Sequence, residues 1–110
     1  MQNCCKGDII LLPFPFTDFS TLKVRPAVIV GKTLKKEPDL FIVPLTSKIH
    51  DLLPGEFPIS DWKNSGLNVP TAVKKGCLLI DKAMIKKVVG KISSKTLNEL
   101  EKSLKFWLDL

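Results

Sequence analysis

Arg25 is the single arginine in a chain whose other sixteen basic residues are all lysines. A guanidinium is a planar, permanently charged fork that engages two oxygens at once in a way that an ammonium does not. It stands immediately before Pro26, after a stretch rich in proline and phenylalanine at 14–20. Phosphate recognition is one use of such a residue; a bidentate pair with Asp8 or Asp18 is the other. Thr46 and Ser47 lie beside Lys48, and hydroxyls there can either donate to a phosphate oxygen or cap the following turn. Phe14, Phe16 and Phe19 offer flat faces on which unpaired bases could stack, or a lid folded over the end of a core.

Other chemistries lack their parts. His50 is the only histidine, and no Cys/His pattern with metal-ligand spacing occurs, so neither a metal nor another cofactor is expected. No glycine-rich phosphate loop, nucleophile elbow or closely spaced carboxylate pair appears. The three cysteines are an odd number, with Cys4 and Cys5 adjacent, which fits a reducing compartment better than a disulfide framework. The longest apolar run, 9–16, is eight residues with two prolines, too short to cross a bilayer and unlike a signal peptide. A cytoplasmic protein without a membrane segment is the expectation.

These residues must be held by a small scaffold. At 110 residues and 12.3 kDa, one domain spanning 1–110 is expected. The run 9–13 is apolar without alternation and reads as a strand buried on both faces, ended by Pro13, with a loop over 14–20. Further strands are expected at 26–30 and 40–47, with Arg25 at the mouth of the former. Shorter ones follow at 56–59, 71–74, 77–80 and 87–92, with a turn at Asn64-Ser65-Gly66. Many short strands with close turn signals predict a mainly β fold, a small closed barrel. The period then changes: Leu97, Leu100, Leu104, Trp107 and Leu108 form one stripe of a C-terminal amphipathic helix. Ser93, Ser94 and Thr96 are candidate N-caps, and Thr96 with Glu99 matches a capping box.

The net charge is +6, and the window 74–95 accounts for all of it, with seven lysines against Asp81. A clustered excess of this kind suits a polyanion, nucleic acid first and an anionic membrane second, or else serves as a solvated face.

The segments 7–18 (Gly-Asp-Ile-Ile-Leu-Leu-Pro-Phe-Pro-Phe-Thr-Asp) and 24–30 (Val-Arg-Pro-Ala-Val-Ile-Val) together resemble the opening of the MazF/PemK family of toxins from bacterial type II toxin–antitoxin systems. Val43-Pro44-Leu45-Thr46-Ser47-Lys48 is similar to that family's third strand, and Gly66-Leu67 followed by Pro70-Thr71 to its Gly-Leu and Pro-Ser segment. Ile80-Asp81-Lys82 and Val89-Gly90-Lys91 continue the likeness in order, over nearly the whole chain. The resemblance implies an SH3-like barrel with appended helices, a homodimer, and metal-independent cleavage of single-stranded RNA, leaving a cyclic phosphate and a 5′-hydroxyl. It also implies a cognate antitoxin protein that blocks the site. Carried over by position, the catalytic residues are Arg25 and Thr46. Ser47, Lys48, Phe16, Asp18, Lys23 and Thr71 are the expected substrate-binding residues. The chain departs from the family at Gly76, Leu78 and Leu79, where polar residues are usual, so base preference does not carry over. The competing readings are a non-catalytic nucleic-acid-binding barrel and a gyrase-targeting toxin of the same fold.

Overall fold

The apolar run at 9–12 does not alternate because both faces of the sheet it enters are covered. Ile9, Val28, Val43 and Leu45 point to one face, where Ile59, Val73, Ile92 and Leu100 complete a buried cluster. Ile10, Leu12, Phe14, Ala27, Ile29, Leu40 and Ile42 point to the other and pack with Ile80. Neighbouring residues thus serve different cores, as the two-residue period of a strand requires. Each fully buried isoleucine or leucine contributes roughly 1.5–3 kcal/mol.

The computed structural model describes residues 4–15 and 22–110. Its strands are β1 (Asp8–Pro15), β2 (Leu22–Lys32), β3 (Leu40–Thr46), β4 (Phe57–Pro58), β5 (Ala72–Val73), β6 (Leu78–Ile80) and β7 (Lys87–Lys91). A 3-10 turn at Lys82–Met84 precedes β7, and α1 (Ser94–Leu108) follows it. The strand order is β4-β5-β3-β2-β1-β7, with β6 also paired to β3, and every pairing is antiparallel. The architecture is the expected mainly β, barrel-like fold with a C-terminal helix. Among the described residues the sheet is not closed, which corrects the expectation of a closed barrel. β3 divides its outer edge between β5 and β6, and strands of two or three residues have too few rungs to carry pairing round to β7.

Two strand limits differ from expectation. β1 does not end at Pro13 but runs through Phe14 to Pro15. β7 accompanies β1 only over Asp8–Leu11, so beyond Leu11 one side of β1 has no ladder to interrupt. Prolines at alternate positions are tolerated when the missing donors face such a side. β2 begins at Leu22, so Arg25 lies inside a strand, opposite Leu12, rather than at its mouth.

The helix begins at Ser93, whose side chain accepts the Thr96 N–H at 3.2 Å. Thr96 is buried in the first turn and donates its hydroxyl to Asp61 at 3.3 Å, so the expected Thr96–Glu99 capping box does not form. Leu97, Leu100, Leu104 and Trp107 pack on the first cluster as the stripe predicts. Leu108 does not; it is 55% exposed, beside the left-handed C-cap Asp109.

The turn at 60–66 is clasped to β7. The Lys91 N–H donates to the Ser65 carbonyl at 3.1 Å, and Gly90 lies flat against that same carbonyl. Gly66 has φ +94° and faces the Val89 carbonyl. The glycines of two separate sequence segments therefore meet backbone to backbone, with no space for a Cβ on either.

Candidate functional site

β2 and β3 pair from Lys32–Leu40 down to Ala27–Pro44, and there the ladder stops. The next residue of β2 is Pro26, which has no N–H to offer across the gap. Two residues beyond the last rung, the same register sets Arg25 of β2 opposite Thr46 of β3. Thr46 is itself paired on its far side with Ala72 of β5. Arg25 and Thr46 therefore stand opposite one another in register, just past the last rung of the β2–β3 ladder.

Alternation places both on the face of Leu12, Ala27 and Ile42. Arg25 is half-buried and its Nε is shielded from solvent. The Asp8 carboxylate accepts the Cys5 N–H at 2.8 Å and lies 3.6 Å from the Lys91 ammonium. It serves the start of β1, four residues from Leu12, the residue opposite Arg25. Thr46 Oγ1 accepts the Lys48 N–H at 3.1 Å. That bond caps the turn, and it also fixes the hydroxyl oxygen and leaves its proton to donate elsewhere.

The surrounding residues divide. Ser47 and Lys48 are exposed immediately after Thr46, and Lys23 is exposed two residues before Arg25 on the same face. Thr71 is buried, and its hydroxyl donates to the Val69 carbonyl at 2.8 Å, so it holds a turn rather than facing the gap. Phe14 is buried in the second cluster and is not a stacking surface. Phe16, Asp18 and Phe19 lie outside the described residues. His50 is exposed, and among the described residues no three His, Cys, Asp or Glu side chains gather as a metal site.

The lysine-rich window does not form one patch. Lys74 and Lys75 continue from β5 alongside Pro44. Lys86 and Lys87 lie across the far edge of β1, beside Leu11. Lys91 pairs with Asp8, and Lys95 is in the first turn of α1. Lys74 alone of the seven shares the register and face of Thr46.

A model of PemK-like, MazF-like toxins of type II toxin–antitoxin systems matches residues 5–108. The chain belongs to this family. A search of the curated proteins returns no match. Among solved structures, Mycobacterium tuberculosis toxin MazF-mt6 is similar at 19% identity, with 94% of this chain and 97% of that chain covered and a TM-score of 0.73. An endoribonuclease in complex with its cognate antitoxin, from a mycobacterial species, is similar at 16% identity, with 98% and 97% covered and a TM-score of 0.76. At these identities the likeness is one of fold. Of the MazF/PemK-like segments, the Gly-Leu segment meets the Val-Gly-Lys segment at the glycine clasp, and the register past the last β2–β3 rung sets Arg25 opposite Thr46 and Pro26 opposite Leu45.

One residue near this candidate site in the PemK/MazF-family chain was not legible in the sequence. Glu56 accepts the Leu53 N–H at 2.7 Å through one carboxylate oxygen and the Lys75 N–H at 3.0 Å through the other. Partial burial opposes its ionisation. The bonds from Lys75 and Leu53, with the charges of Lys75 and Lys74, outweigh that and hold the carboxyl below its ordinary value of 4.5. A carboxyl with a depressed folded value contributes stability that is fully present above the unfolded value and is lost as pH falls through the folded one. The thermal midpoint of Glu56→Gln is accordingly expected to lie below wild type at neutral pH and to converge with it on acidification below 4.5. Parallel melting curves at pH 7 and pH 3 check this; a gap that persists in acid would show that the charge is not what stabilises.

Proposed function

We propose that this chain is the toxin of a type II toxin–antitoxin pair and acts as a metal-independent endoribonuclease. Its substrate is single-stranded RNA, mRNA above all, in the cytoplasm, and its effect is to stop translation and growth until a cognate antitoxin blocks the site. The observation that carries the reading is the opposition of Arg25 and Thr46 just past the last β2–β3 rung, in a chain of this family.

RNA supplies its own nucleophile. The 2′-oxygen forms a bond to the adjacent phosphorus as its proton leaves, and the bond to the 5′-oxygen breaks as that oxygen takes up a proton. The products are a 2′,3′-cyclic phosphate and a 5′-hydroxyl. The protein's task is to hold the attacking and leaving oxygens in line and to stabilise the charge that builds on the non-bridging oxygens. Arg25 would engage two of those oxygens through parallel N–H bonds, and the Thr46 hydroxyl would donate to one. Lys23, Ser47, Lys48 and Lys74 are exposed near Arg25 and Thr46 and would offer donors to the flanking phosphates.

The test is incubation of purified protein with a long single-stranded RNA in excess EDTA, followed by mapping of the ends. Cleavage to cyclic phosphate and 5′-hydroxyl ends is expected. Intact RNA, or cleavage only after magnesium is restored, overturns the mechanism and favours the non-catalytic barrel or a metal-assisted one.

The reading includes a homodimer. Phe41 and Leu79 are cross-strand neighbours on β3 and β6, and with Leu78 they are 38%, 53% and 46% exposed at one edge of the sheet. Burying them against a second copy would extend the small core. Light scattering at micromolar protein is expected to give twice 12.3 kDa for wild type, and half of that for Leu79→Glu. A monomeric wild type contradicts the dimer.

A further inference from the structure

Glu56 lies nineteen positions before the Lys75 N–H that it accepts. That bond spans from the turn before β4 to the segment leaving β5. The same segment is held a second time: Lys74 donates its N–H to the Pro44 carbonyl at 2.9 Å, and Gly76 lies against the Pro44 ring. Pro44 is two residues before Thr46. Continuing the β3–β5 register from Thr46–Ala72 puts Lys74 opposite Pro44, on the face that carries Thr46 and Arg25. The backbone that presents Lys74 is thus fixed by one bond from the sheet and one from Glu56. Pro44 has no N–H to return a bond to the Lys74 carbonyl, so the ladder gives this segment a single bond there, and the carboxylate adds a second anchor at the neighbouring Lys75 N–H.

We propose that Glu56 is a positioning residue: it fixes the Lys74–Lys75 backbone so that the Lys74 ammonium stands beside Thr46 and takes a phosphate of the bound RNA. The inference rests on the ribonuclease reading above and names a residue through which substrate binding is organised. Glu56 does not touch the substrate. Its role opposes what its charge alone would do. A carboxylate near a polyanion site repels RNA, so its neutralisation should tighten binding if charge were the whole effect. Removing a positioning residue weakens binding instead. Glutamine keeps one acceptor oxygen and turns an NH2 group toward the second N–H, so it cannot hold both bonds.

The experiment measures binding of a fluorescein-labelled, fully 2′-O-methylated single-stranded RNA of mixed sequence, and KM and kcat on unmethylated RNA. It compares wild type, Glu56→Gln, Lys74→Ala and the double variant. One phosphate contact on a single strand contributes about 0.7 to the slope of log affinity against log salt, or roughly fivefold in affinity near 0.1 M salt. Glu56→Gln is expected to weaken binding and raise KM roughly fivefold, with kcat unchanged, and to lower the salt slope by about 0.7. In the Lys74→Ala background it should add nothing, because both changes remove the same contact. Tighter binding, an unchanged KM, a fall in kcat alone, or full additivity in the double variant overturns the proposal while leaving the ribonuclease reading intact. A wild-type protein that neither binds nor cleaves RNA overturns both. Should the glutamine variant fail to fold, Glu56→Asp, which keeps the charge but is too short to span both N–H groups, carries the same comparison.

Discussion

Arg25→Lys is expected to lose RNA cleavage by on the order of 10²–10³-fold while melting at the wild-type temperature and remaining dimeric. Lysine preserves the charge, so a residue that only balanced a carboxylate would survive the change. A fork that engages two phosphate oxygens would not, because an ammonium is a point charge without the two parallel donors. Of the two alternative partners, Asp8 is engaged by the Cys5 N–H and Lys91 at the start of β1, and Asp18 lies outside the described residues. Thr46→Val should also be impaired, through loss of the hydroxyl proton and of the bond to the Lys48 N–H that aims it. Rate and thermal midpoint measured on the same preparations decide the matter. An active Arg25→Lys protein, or an inactive one that has unfolded, removes the catalytic assignment.

The largest effect on stability is expected from Gly90→Ala. A methyl group at Gly90 would occupy the position of the Ser65 carbonyl oxygen, and Gly66, held at φ +94°, closes the same space from the other side. Neither neighbour is a side chain that can swing away; the 60–66 turn would have to leave β7. Overpacking of this kind costs about 3 kcal/mol. For a domain of this size that is roughly 10–20 °C in Tm. Gly31→Ala is the control, since a Cβ there would meet Phe41 at an ordinary 3.7 Å. A calorimetric scan that gives Gly90→Ala the midpoint of Gly31→Ala would refute the clasp.

Much of this architecture was legible in the sequence. The unalternating run at 9–12 announced a strand with two buried faces, and the leucine stripe from Leu97 to Trp107 announced the helix, because period and burial are tied directly to backbone geometry. Arg25 stood out by composition alone. What misled was proximity along the chain. Seven lysines in one window looked like one patch, but the chain crosses from the β3 edge to the far edge of β1 between Lys75 and Lys86, so the charges separate. Prolines were read as strand ends at Pro13 because propensity does not say which side of a strand lacks a partner. Thr71 was expected at the site through its place in the family-like Pro-Thr segment, and it is buried with its hydroxyl donated to the Val69 carbonyl instead. Glu56 carried no local signal, since its role exists only once β4 and β5 are side by side.

The missing donor at Pro26 has a consequence for how this toxin could be made more robust. The β2–β3 ladder ends where that proline stands, and the space beyond is where Arg25 and Thr46 face each other. Any residue with an N–H at position 26 could add a rung opposite Leu45 and hold the strands more tightly beside Arg25 and Thr46, a gain in rigidity at the expense of the candidate site. Selection or engineering for heat resistance alone would therefore favour a tighter, inert barrel, and only a simultaneous demand for turnover keeps that rung unmade.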